Sequence, residues 1–159
     1  MSAAMTRDEF LALMLTARER LWSAFAGLSG EGMTQPGVNG DWSVKDILAH
    51  LAFWEEDARQ RLELVTDHRA EHIRYYASGE EIDATNAEVY AARRYWMPAE
   101  AEQALRLARE RLLKALTVLT DEQLQSTPGG ISVLGWLAAD TFEHDHKHLP
   151  QILAWRERS

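Results

Sequence analysis

In four long stretches of this chain the apolar residues return every three or four positions, the spacing of one helical face and not the alternation of a strand. The first stretch runs from Thr6 to Leu28 through Phe10, Leu13, Met14, Ala17, Leu21, Ala24 and Phe25. The second begins at Ser43, carries Val44, Ile47, Leu48, Leu51, Trp54, Ala58, Leu62 and Val65, and fades toward Tyr75 and Tyr76. The third starts at Pro98 and holds Ala101, Ala104, Leu105, Ala108, Leu112, Ala115, Leu116 and Leu119. The fourth opens at Ser132 and continues through Leu137, Thr141, His144, His148, Ile152 and Trp155.

The boundaries agree with the stripes. Gly27, Gly30, Gly32, Pro36, Gly37 and Gly40 supply backbone conformations that end the first helix. Ser43 is placed to cap the second, with Asp46 as its capping-box partner and Trp42 positioned to staple against Ile47. Pro98 followed by Glu100 and Glu102 reads as a first turn, with acids near the positive end of the helix dipole. Ser78-Gly79-Glu80-Glu81 interrupts the pattern, so Ala77 to Met97 reads as a connection containing a short helix. Pro150 cannot donate to the carbonyl of His146, which predicts a kink in the fourth helix. No repeat, low-complexity tract or hairpin signal appears. The expected fold is all-α, a four-helix bundle spanning 1–159 as one domain.

Composition removes several function classes. The formal charge is -8 with a pI near 5.2, and no basic cluster is present to displace counterions from nucleic acid or anionic lipid. With no cysteine, disulfides, thiolate metal sites and cysteine nucleophiles are excluded. Charges at Arg7, Asp8 and Glu9 interrupt the N-terminal segment, so neither a signal peptide nor a membrane span is expected, and a cytoplasmic location fits.

The chemistry rests on histidines. Four residues separate His144 from His148, about 40° around a helix, so both rings lie on one face one turn apart. That face is the apolar stripe. His146 lies about 200° from His144 and points away. His50 follows Ile47 by three positions and precedes Trp54 by four, so it too projects inward. A lone inward histidine is ordinarily a hydrogen-bonded core residue, and a pair at this spacing arises often by chance. Three together suit a divalent metal with one coordination position left open, the arrangement of catalytic zinc sites.

Other residues carry weaker signals. His68 and His72 share the same spacing, but their neighbours are charged and a solvated face explains them better. Trp22, Trp54, Trp136 and Trp155 fall on helical stripes and read as core. Asp41 and Glu55 are candidate partners orienting His50. No general acid or base stands out, with Glu143, Glu55 and Tyr90 as the nearest candidates.

The segments GDWSVKDILAHLAFWE and DTFEHDHKHLPQILAW together resemble the DinB-like (DinB/YfiT) superfamily, particularly its ClbS/DfsB-type branch and the metal-binding domain of mycothiol-dependent maleylpyruvate isomerase. The most specific part is the capped Trp42-Ser43 start of the second helix, with His50 seven residues after the cap, joined to the His144/His148 pair. The likeness implies an up-down-down-up bundle holding zinc or nickel on His50, His144 and His148. In the isomerase-like branch a glutamate matches His144, so this chain resembles the three-histidine variety. It further implies action on a small-molecule substrate, in some members with a low-molecular-weight thiol, and pairing as a homodimer.

Two functions follow as expectations. The first is a metal-dependent enzyme, a hydrolase or thiol S-transferase, acting on a small electrophile. The second is a non-catalytic protein that sequesters a small molecule.

Overall fold

A computed structural model describes residues 4–159. Its helices are α1 (Arg7–Phe25), α2 (Gly30–Thr34), α3 (Val44–Thr66), α4 (Gly79–Arg93), α5 (Pro98–Val118), α6 (Asp121–Leu124), α7 (Val133–Asp140) and α8 (Phe142–Arg158). No strand occurs among the described residues, and the protein is all-α; one isolated bridge joins Asn39 to Trp42.

Caps account for where the helices begin. Asp46 donates its backbone N–H to Ser43 Oγ at 3.2 Å, while the Ser43 N–H donates to Asp46 Oδ2 at 2.9 Å, the reciprocal pair expected from sequence. Ser132 caps α7 by accepting the Gly135 N–H, and Thr6 caps α1 by accepting the Glu9 N–H. Gly27, at φ 79, turns the chain out of α1 in a conformation that a side chain would oppose.

Three expectations need correction. The second helix stops at Thr66 and does not fade toward Tyr76. The fourth helix is two: Thr141, with φ -120 and ψ -104, separates α7 from α8. No glycine or proline marks that break, and the Thr141 hydroxyl donates to the Leu137 carbonyl at 2.7 Å. The chain is interrupted at Thr141, whereas α8 runs on through Pro150 to Arg158. The two short helices α2 and α6 lie in segments read as loops.

The direction of the long helices follows from which ends share a core. One apolar cluster collects Leu21, Ala24 and Phe25 from the end of α1, Val44 to Ala52 from the start of α3, Ala101 to Ala108 from the start of α5, and Ile152 and Trp155 from α8. The other joins Phe10 and Met14 to Leu62 and Val65, Leu112 and Leu116, Val133, Leu137 and Phe142. So α3 and α5 run parallel, opposite to α1 and α8, which is the up-down-down-up order. The chain from Asp67 to Met97, including α4, returns along the outside to make this possible.

Between the two clusters lies a buried quartet of charges, one from each long helix. Arg18 donates from Nε to Asp145 Oδ2 at 2.8 Å and from Nη2 to Glu55 Oε1 at 2.5 Å. Arg109 donates from Nη2 to the same Glu55 oxygen at 2.5 Å. Glu55 is 0% exposed and Asp145 1%. Two cations balance two carboxylates, which is what makes such burial tolerable.

Candidate metal centre

The inward face of α3 carries His50, and that of α8 carries His144 and His148. The structure brings all three together: one ring nitrogen from each lies within 4.8 Å of the other two. Nε2 of His50 and Nε2 of His144 are 2.9 Å apart. Ring centroids are separated by 4.8 Å for His50 and His144, 5.1 Å for His50 and His148, and 5.0 Å for the α8 pair. His50 and His148 are buried, while His144 is half-buried with its Nδ1 shielded from solvent.

The donor set suits a divalent ion. Imidazole nitrogens about 2.0 Å from a tetrahedral ion stand roughly 3.3 Å from one another, inside the range seen here. Buried polar atoms normally find partners, yet His148 Nε2 has none, nor do Nδ1 of His50 and Nδ1 of His144. His148 Nδ1 lies 2.7 Å from Gln151 Oε1, which fixes Nδ1 as the donor and leaves the Nε2 lone pair facing its neighbours.

Electrostatics hold the rings neutral. Burial, then the neighbouring His148 and Lys147, push His50 down to about 3. Burial, then His50 and His148, push His144 down to about 2. Burial also lowers His148, against the opposing hydrogen bond from Gln151. Neutral imidazole is the form that ligates metal.

Carboxylates stay out of the cluster. Glu55 is taken up by Arg18 and Arg109 and is not a partner of His50, and Asp41 is exposed, so neither orients that ring. Glu143 is exposed. Asp145 neighbours His144 in sequence but faces Arg18; burial raises its carboxyl against the pull of that guanidinium. His146 is exposed, as its angle required, and so are His68 and His72. Trp54 and Trp155 are buried, while Trp22 and Trp136 are partly so.

Two features escaped the sequence. Gln151 has no signal beyond its place one turn after His148. The Trp42 ring lies 4.9 Å from His50 and stacks on Tyr90 at 5.7 Å and 7°, joining the start of α3 to α4 across the connection.

Fold and site define a helical bundle with an internal three-histidine cluster able to accept a metal ion. The chain belongs to the DinB superfamily, matching it over residues 13–152. Among solved structures it is similar to an uncharacterised protein from Escherichia coli UTI89, with a TM-score of 0.82, 12% identity, and coverage of 99% of this chain and 96% of that one. It is similar to Sibling Lethal Factor Precursor, DfsB, with a TM-score of 0.82, 13% identity and 98% coverage of both chains. A protein from Streptococcus pneumoniae gives a TM-score of 0.80, 12% identity, and coverage of 99% and 93%. At such identities the likeness concerns the fold alone. No curated protein matches the chain significantly. No helix among the described residues is long and apolar enough to cross a membrane.

Proposed function

We propose that this protein is a metal-dependent enzyme acting on a small electrophile, by hydrolysis or by delivery of a low-molecular-weight thiol, with His50, His144 and His148 as ligands of a zinc or nickel ion. The observation that carries the reading is the convergence of three neutral imidazoles within 4.8 Å, with His148 Nε2 left without a partner. An ion held by three uncharged ligands keeps its full positive charge and supplies Lewis acidity, lowering the pKa of a water or thiol at a fourth position. The chain's part is to hold the rings neutral by burial, to orient His148 through Gln151, and to keep carboxylates turned away. No residue takes the role of general base in this reading.

That last point favours a second reading, sequestration of a small molecule without turnover, because the buried carboxylates Glu55 and Asp145 are committed to arginines and Asp46 to Lys45 and the Ser43 cap. Metal analysis of the purified protein beside His144→Ala tests the first reading. Near one equivalent in the wild type and a marked loss in the variant are expected; a metal-free wild type with affinity unchanged by the substitution overturns it. Persistent inactivity of metal-loaded protein toward electrophiles, with and without added thiols, moves the balance to sequestration.

A further inference from the structure

Helix α4 contributes no buried residue to the protein, yet it lies against the side of α3 that carries His50. Between them is an enclosed cavity, lined by Ala49 and His50 on one side and by Val89, Tyr90 and Arg93 on the other, with Trp42 at its edge. Its free volume is about 10 Å³, enough for one water and nothing larger.

Three side chains of α4 tie it down, and Lys45 Nζ donates to the carbonyl of Arg94, its C-cap, at 2.6 Å. Asn86 Oδ1 accepts the Trp54 Nε1–H at 2.8 Å, Arg93 Nη1 donates to the Ala49 carbonyl at 2.8 Å, and Tyr90 stacks on Trp42. The segments before Ser78 and after Arg94 are non-helical and give the helix two hinges. An element with no fully buried residue of its own, held by a few polar and stacking contacts, opens more readily than one with a buried face. When it opens, the ring of Trp42 is bared 4.9 Å from His50, and a flat aromatic face next to a reactive centre selects flat partners.

We propose that α4 is a lid over His50, and that Tyr90 fills the seat on Trp42 where a planar, unsaturated group of the substrate stacks. The substrate half of this proposal rests on the enzyme reading above; the lid and the seat stand without it.

Both halves are read on metal-free protein. Diethyl pyrocarbonate modification, mapped by mass spectrometry, reports access to His50, with exposed His72 as the internal standard. Tyr90→Ala is expected to speed modification of His50 roughly tenfold, the factor one lost aromatic contact brings, while Tyr90→Phe behaves as wild type. Asn86→Ala loosens a different tether and is expected to act in the same direction. Equal rates in wild type, Tyr90→Ala and Asn86→Ala overturn the lid. For the seat, trans-cinnamamide is titrated beside its saturated counterpart 3-cyclohexylpropanamide. The planar amide is expected to gain affinity in Tyr90→Ala and the saturated one is not; an equal gain for both overturns the planar seat. If these results hold while the protein binds no divalent ion, the metal reading alone has failed.

Discussion

His148 and Gln151, one helical turn apart on α8, meet at 2.7 Å between Nδ1 and Oε1, and that contact decides which nitrogen of His148 faces its two partners. Removing it frees the ring to rotate and to change tautomer. Gln151→Leu is therefore expected to weaken metal binding by about 10- to 100-fold while leaving the helical content unchanged. Competition with a chelator of known affinity measures this, and unchanged affinity would mean that packing alone orients the ring.

The buried quartet predicts a large stability effect at a position far from solvent. Glu55→Ala leaves Arg18 and Arg109 with Asp145 as the single carboxylate between two guanidiniums, at a cost of about 3–5 kcal/mol. Urea unfolding reads this as a lower midpoint. A loss below about 1 kcal/mol would indicate that water enters and replaces the missing partner.

Acid should destabilise the metal-free protein well above the carboxylate range. The ordinary histidine value is near 6.5, and the folded values of His50 and His144 are about 3 and about 2. Between those limits the unfolded chain binds more protons than the folded one, so stability is complete above 6.5 and falls as the pH drops. Each imidazole contributes about 1.4 kcal/mol per pH unit inside its window. Asp140, raised by burial to about 6, works in the opposite sense between 3.8 and that value, as does Asp145, also raised by burial, and two carboxyls only partly offset three histidines. Thermal melts from pH 7 to pH 5 should show a falling Tm, with a shallower slope in His144→Phe.

The cap of α3 sets where His50 begins its turn of helix. Ser43→Ala removes the acceptor for the Asp46 N–H and should cost about 1 kcal/mol. Amide exchange at Asp46 and Ile47 is the sharpest probe, since fraying begins there; unaltered exchange would show that Asp46 holds the turn by itself.

Much of this was readable from residue order. The stripes and the caps at Ser43, Pro98 and Ser132 placed the long helices, because burial and orphan backbone groups leave local traces. The histidines were legible for the same reason: each sits where an apolar residue belongs. Arg18, Glu55, Arg109 and Asp145 obey that rule too, as charges standing on apolar stripes, but their pairing requires knowing which helices touch. The Thr141 break left no trace, since threonine is compatible with helix and its effect comes from tertiary packing. Pro150 lies inside α8, which carries on past the missing donor to Arg158. Helix α4 gave only a weak pattern because the face it turns to α3 is half-buried and mixed, with Asn86 and Arg93 beside Val89 and Tyr90.

Parallel α3 and α5 oblige the chain to retrace its steps, about 35 Å for a 23-residue helix. An extended strand would cover that distance in about a third of the residues lying between Thr66 and Pro98. The surplus is what becomes the roof above His50. Insertions or deletions in this return path would leave the helices that carry the imidazoles in place and alter only what covers His50.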